Sequence, residues 1–240
     1  MTKPVDWSAY AVAYDDMANN NPAYQEIVAI CLETASSWTL PKGTRLVDLG
    51  AGTGNFSLLL AQKLPQCEIV HVDANEAMTR IAAEKAARAG ITNLQILCRS
   101  AEDVEFSRGS VHAIVTVHAL NAFKDPRDVI QKMAGWLAPG GHILACDIGR
   151  RLNVLDWTGY LLWGTARRKG LLKTLSLATS AQRVFLQNWR GAHSQEQGRF
   201  WSHEPEEFSD CYKRAGITVD KALVCYRGCS DLVIGQKPNL

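Results

Sequence analysis

No apolar stretch of this chain approaches the ~20 residues that a helix needs to cross a bilayer. Its first residues also lack the basic, apolar and small-residue zones of a secretory leader, so a cytoplasmic location is expected. Strong charge of one sign is missing too. The 26 Lys and Arg nearly cancel the 24 Asp and Glu, leaving +2 and no overall basic field to gather nucleic acid. Paired-cysteine motifs are absent. Cys31, Cys67, Cys98, Cys146, Cys211, Cys225 and Cys229 are odd in number and form no CxxC, which argues against a disulfide framework or a zinc site. Several lie in apolar runs, where a reduced thiol packs as a small hydrophobe. There is no internal repeat and no low-complexity tract. What remains is 240 residues with 47% hydrophobic content, enough for one large domain, or one domain with an inserted cap.

Along that chain short apolar runs alternate with helical patterns. An N-terminal helix is expected over 5–17 with Asp6 as its N-cap, broken by Asn19-Asn20-Asn21. Asn21-Pro22 then opens a second helix to about Ser36. Buried strands are expected at 45–49, 68–73, 94–98, 113–117 and 142–147. Helices fall between them near 55–63, 76–89 and 125–137, and Pro139-Gly140-Gly141 reads as a turn. This spacing predicts parallel βαβ units: an α/β, doubly wound, Rossmann-like sheet covered on both faces. A helix over 205–215 and two strands, 218–226 and 231–236, close the chain.

Residues 150–190 differ in character. Arg150, Arg151, Arg167, Arg168, Lys169, Lys173, Arg183 and Arg190 face only Asp156, a local charge of 8 − 1 = +7, which leaves 2 − 7 = −5 elsewhere. Trp157, Tyr160, Leu161, Leu162, Trp163, Leu171, Leu172, Phe185 and Trp189 are interleaved with them. This segment, taken as 150–203, reads as an inserted helical cap.

Val47-Asp48-Leu49-Gly50-Ala51-Gly52-Thr53-Gly54-Asn55-Phe56 is the chemical anchor. A strand feeds a glycine turn that opens a helix, and glycine lets a backbone come close to a ligand. The spacing is G-x-G-x-G, with Asn55 where a pyrophosphate-binding turn has its third glycine. Asp48 would repel a pyrophosphate and suits a cationic ligand. Asp73 ends the next strand about 20 residues beyond the turn, where a carboxylate can accept both hydroxyls of a ribose.

Taken together, VDLGAGTGNF, HVDANEAM, CRSAEDVEF, AIVTVHALNAFKDP and LAPGGHILACD resemble the class I S-adenosylmethionine (SAM)-dependent methyltransferases. The nearest likeness is to the small-molecule group of ubiquinone and menaquinone C-methyltransferases. It covers about 44–148 and resumes at 204–238. The resemblance implies a seven-stranded, mostly parallel sheet with one antiparallel strand, SAM as cofactor and S-adenosyl-L-homocysteine as product. It places Asp48, Gly50, Ala51, Gly52 and Gly54 under the methionine half of SAM and gives the ribose to Asp73, with Ala74 and Met78 beside it. Ala101 and Glu102 border the adenine, whose amino group would meet Ser100 where the family often has Asp. Thr116, Val117 and His118 meet the amino-acid end. Tyr10 and Tyr14, on the first of the N-terminal helices over 1–40, would close over the cofactor. The family's paired His after strand four is replaced by Asn121-Ala122, and His112 stands where Asp commonly precedes that strand.

Methyl transfer needs a base only when the acceptor must lose a proton. His118 is the first candidate, Asp147 the second, and His193 and His203, expected at the surface, the third. The implied reaction moves the SAM methyl to an O, N, S or C nucleophile of a small apolar or aromatic molecule, natural product or quinone-like. Alternatives are an RNA methyltransferase, a non-catalytic SAM-binding regulatory module, and a SAM-fold enzyme transferring another group. No Asp/Asn-Pro-Pro-Tyr/Phe segment or Pro-Cys pair favours a nucleic-acid base as acceptor. Expected partners are the small acceptor, not DNA, with RNA disfavoured and no metal. The basic cap could meet a membrane surface, and the chain could be a monomer or a homodimer.

Overall fold

The structure, a computed structural model, describes residues 4–169 and 178–239. Two N-terminal helices, α1 (Trp7–Asn20) and α2 (Pro22–Ser37), precede β1 (Arg45–Leu49), α3 (Asn55–Lys63), β2 (Glu68–Asp73), α4 (Glu76–Arg88), β3 (Leu94–Cys98) and β4 (Val111–Val117). Then come α5 (Pro126–Trp136), β5 (Leu137–Ile148), α6 (Val154–Lys169), α7 (Ala178–Glu196), α8 (Pro205–Arg214), β6 (Thr218–Cys225) and β7 (Ser230–Gln236). The seven strands form one sheet in the order β3-β2-β1-β4-β5-β7-β6. β1 to β5 run parallel, and β7 pairs antiparallel with both β5 and β6. The order reverses between β1 and β4, which opens a crevice beyond the carboxyl ends of those strands, where open α/β sheets bind ligands.

The central strands are apolar on both sides because both sides are covered. Val115, Val117, Leu144 and Cys146 pack with Ile27 of α2 and Leu60 of α3. Ile114, Ile143 and Ala145 pack on the other face with Ile130 and Met133 of α5 and Phe208 and Tyr212 of α8.

Local signals set the helix ends. Asp6 accepts from the Ala9 amide, Asn75 from Met78 and Asp125 from Asp128, each capping a helix. The expected break at Asn19 falls later. Asn21 alone is extended, as the residue before Pro22 must be, and it both ends α1 and caps α2 through the amides of Ala23 and Tyr24. The turn expected at 139–141 is drawn into β5. Gly140 and Gly141 exchange backbone hydrogen bonds with Lys237, so the chain stays paired there.

Among the described residues, the segment between β5 and α8 contains α6 and α7. Leu171, Leu172 and Lys173 lie outside the described residues, as do the side chains of Arg168, Lys169 and Arg183. α7 lies along α1. Gln187 accepts from the Asp6 amide at 3.0 Å, the Tyr10 hydroxyl donates to Asn188 at 2.9 Å, and Val184 packs on Tyr10 and Ala13. Beyond α7 the chain returns to the sheet through His203, which is buried and not at the surface. Its Nδ1 lies 3.0 Å from Asp231 and its Nε2 3.7 Å from Asp147. Burial pulls the imidazole pKa down, but the attraction of the two nearby carboxylates outweighs it and the net shift is upward. Arg150 adds a two-pronged pair to Asp231 at 2.7 and 2.8 Å. His193 is half-exposed and bonds to the Trp189 carbonyl on its own helix.

Candidate cofactor and acceptor site

A cavity of about 210 Å³ lies at the reversal of strand order. The glycine turn after β1 forms its floor. Gly50, Gly52 and Gly54 all have positive φ, and a Cβ at Gly50 would collide with that of Ala119 in the loop after β4. A Cβ at Gly52 would meet nothing within 4 Å, so its backbone lies open. Gly54 does not line the cavity. It precedes α3 against Leu58 and Ala82, so its small size serves helix packing and not ligand approach.

Asp73 stands at the carboxyl end of β2. Its Oδ2 accepts from the Gly52 amide and its Oδ1 from the Asn75 amide, both at 2.8 Å. Each oxygen keeps a second lone pair for a ligand hydroxyl. Burial raises the Asp73 pKa, against the lowering effect of those two amides. Asp48 is almost wholly buried beneath the turn, and burial pushes its pKa up to about 7 despite a 2.5 Å hydrogen bond from Ser57. Among the described residues no cationic side chain pairs with it. Ser57 also lies 2.9 Å from Nδ1 of His71, whose pKa burial lowers to about 4. Met78 and Ala101 supply apolar surface along the wall, and Ala51, Ala74, Ser100 and Glu102 complete that side. Ser100 exchanges hydrogen bonds with Asp103, and Glu102 accepts from the Lys124 amide at 2.7 Å.

Rings also line the cavity: those of Trp7, Tyr14, Tyr24, Phe56, Phe123 and His118. His118 follows β4 with φ of 53°, an uncommon conformation for a non-glycine residue. Its Nε2 lies 2.9 Å from the Ser230 hydroxyl, and its ring packs edge-on to Tyr226 with centroids 4.6 Å apart. Trp157 of α6 stacks behind Tyr226 at 4.5 Å. Desolvation lowers the His118 pKa to about 3.

The structure thus brings together Tyr14, Asp48, Gly50, Ala51, Gly52, Asp73, Ala74, Met78, Ser100, Ala101, Glu102, Val117 and His118 in one cavity. It does not bring Tyr10, which reaches α7, or Thr116, which is buried but does not line the cavity. Asp147, the second base candidate, is fully buried outside the cavity beside His203. Its carboxylate lies 3.7 Å from His203 Nε2 and does not line the cavity. Among residues not singled out in the sequence, Arg99 had a findable signal, its place directly after β3. Tyr24 and Phe56 look from sequence like ordinary core aromatics.

The first helix forms a wall of this cavity and is latched to the turn. Thr53 donates to Asp15 Oδ1 at 2.5 Å, and Lys85 of α4 donates to Asp15 Oδ2 at 2.8 Å and to Asn55 at 3.0 Å. Asp15→Ala removes these charge-assisted bonds. Titration calorimetry with SAM is expected to show affinity weakened by roughly tenfold, with a melting point a few degrees lower. Unchanged affinity would detach α1 from ligand retention.

The donor set fits a nucleoside with a cationic tail: a ribose-ready carboxylate, an open glycine backbone, an apolar wall and a buried carboxyl lacking a counterion. Comparisons agree with this. Residues 46–141 match the family model described as a methyltransferase domain. The chain is 27% identical over 126 residues to the demethylmenaquinone methyltransferase of Listeria monocytogenes, covering 52% of this chain and 53% of that protein. It is 32% identical over 151 residues to the carboxy-S-adenosyl-L-methionine synthase of Trichodesmium erythraeum, covering 60% and 58%. The chain thus spans little more than half the length of these curated relatives. A solved SAM-dependent methyltransferase from Aquifex aeolicus superposes with a TM-score of 0.61 at 14% identity, over 94% of this chain and 98% of that one. The chain thus has the fold of the class I, SAM-dependent methyltransferases, and its residues 46–141 are similar to a methyltransferase domain.

Proposed function

We propose that the chain transfers the methyl group of SAM to a small apolar or aromatic acceptor held against the aromatic side chains of the cavity. The observation that carries this reading is one cavity lined both by Asp48, Asp73 and an open glycine backbone and by aromatic side chains. Bound SAM supplies an electrophilic methyl on a sulfonium, and displacement at that carbon consumes the positive charge and leaves S-adenosyl-L-homocysteine. The protein's part is alignment and exclusion of water. Asp73 orients the nucleoside, Asp48 answers the cationic end, and Tyr14 and Tyr24 shield the reacting centre. The name of the Listeria relative makes quinone-like acceptors the first to try.

His118 acts in this reading as a neutral wall. An imidazole held near pKa 3 is a poor proton acceptor at neutral pH. His118→Gln is therefore expected to lower kcat less than tenfold and to leave the shape of its pH profile unchanged. A drop of a hundredfold or more, with loss of a limb near neutrality, would make His118 the base instead.

The test of the function is incubation of the purified protein with SAM and a panel of phenolic and quinol acceptors, followed by mass spectrometry. An acceptor heavier by one CH₂ together with S-adenosyl-L-homocysteine is the expected product. The likeness to a carboxy-SAM synthase favours a second reading, in which SAM itself is modified. With a carboxylic-acid donor added to the mixture, a SAM species heavier by the CO₂ that the donor loses, with no methylated acceptor, would select it.

A further inference from the structure

Among the described residues, seven large hydrophobic side chains are exposed, and six of them sit on α6 and α7: Leu155, Leu162, Trp163, Phe185, Leu186 and Trp189. Their spacing is helical. On α6, positions 155, 162 and 163 share one face, and Trp157 on the opposite side is buried behind the acceptor wall. On α7, positions 185, 186 and 189 lie outward while Val184, Gln187 and Ala192 are buried against the body of the protein. Leu155 is 76% exposed and Trp163 58%, far more than a stable monomer gains from leaving side chains of this size in water.

The same segment holds the molecule's positive charge. Residues 150–190 carry +7, and the rest of the chain −5. Arg167 lies over the Trp163 ring at 5.7 Å, which keeps a cation beside the most exposed indole. Apolar and indole side chains on two neighbouring helices, in a segment rich in basic residues, are the composition of a surface that sinks into the headgroup layer of an anionic bilayer. No helix among the described residues is long and apolar enough to cross a membrane, so the contact is at the interface.

We infer that the outer face of α6 and α7 docks on an anionic lipid surface. This deepens the proposed function and rests on it, because α6 buttresses the acceptor chamber through Trp157. Docking would set that chamber beside the bilayer, where a lipophilic acceptor dissolves. A second copy of the chain would also cover apolar side chains, but it would bring two faces together that each carry Arg167 beside Trp163, like charge against like charge.

The experiment is flotation of the full chain with vesicles of phosphatidylcholine alone and of phosphatidylcholine with phosphatidylglycerol. The variants are Trp163→Ser with Trp189→Ser, and separately Leu162→Ser with Leu186→Ser. Binding is expected only to the anionic vesicles. It should weaken at least tenfold in high salt and at least tenfold in either variant, with circular dichroism and SAM affinity unchanged. Binding equally strong in both variants would overturn the proposal. So would self-association by sedimentation that both variants abolish without any vesicle binding, or retention on RNA in place of vesicles. SAM affinity and turnover of a water-soluble acceptor separate the two readings. Vesicle binding without either leaves the surface standing and removes the methyltransferase reading, and turnover without vesicle binding does the reverse.

Discussion

Asp73→Ala is expected to raise the Kd for SAM at least a hundredfold, with circular dichroism and cooperative melting preserved. The carboxylate ends a strand, where β2 hands the chain to the turn before α4. It already fixes two amides: Gly52 of the glycine turn and Asn75, the cap of α4. Its remaining lone pairs face the cavity, where two ribose hydroxyls would complete them. Hydrogen bonds to an ionised acceptor contribute about 1.5–3 kcal/mol each, so losing two accounts for a hundredfold or more. The Gly52 amide would also lose its acceptor and the turn its set geometry. Asp73→Asn keeps one oxygen and puts a donor in place of the other, so its affinity should fall between the two. Titration calorimetry of the three proteins decides the matter. Wild-type affinity in the alanine variant would end the assignment of Asp73 to the ribose and with it the present placement of SAM.

Much of this architecture was legible because its signals are local. Strands β1, β2 and β3 begin and end where the apolar runs do. α3 and α4 follow their caps and stops, since Asn75 and Gly90 act within one turn of the residues they control. The candidate cofactor residues of the cavity wall were legible for the same reason: Gly50, Gly52 and Asp73 stand at fixed distances along one βαβ unit. What was not legible depends on residues far apart in the chain. His203 reads as a surface histidine until β5 and β7 bring Asp147 and Asp231 to it. Asp147 looks like a base at a strand end until that partner turns it away from the cavity. Gly54 belongs to the glycine motif, yet its neighbour is Ala82, supplied by the next helix. Tyr10 and Tyr14 share one helix but part company, because Asn188 of α7 claims the Tyr10 hydroxyl. Such pairings follow from topology, and no spacing along the chain encodes them.

SAM affinity is expected to rise about a hundredfold between pH 5 and pH 8, and Asp48→Asn is expected to abolish that rise. Without ligand, burial holds the Asp48 pKa near 7, so at pH 5 the carboxyl is protonated and neutral. A cationic ligand favours the charged form and must first expel the proton. Below the free-protein pKa that costs about tenfold in affinity per pH unit, and above it nothing. The same shift acts on stability with opposite direction. The folded pKa lies above the ordinary carboxylate value, so the folded state binds the extra proton. The stability this contributes is full below about pH 4 and is lost as pH rises through about 7. The ligand-free wild type should therefore melt progressively lower than Asp48→Asn from pH 5 to pH 8, and saturating SAM should narrow the gap. Binding and melting scans across that pH range measure both. A flat affinity profile in the wild type would mean that Asp48 is ionised before any ligand arrives, or that no positive charge of the ligand comes near it. The glycine turn would then hold SAM through Asp73 and backbone alone.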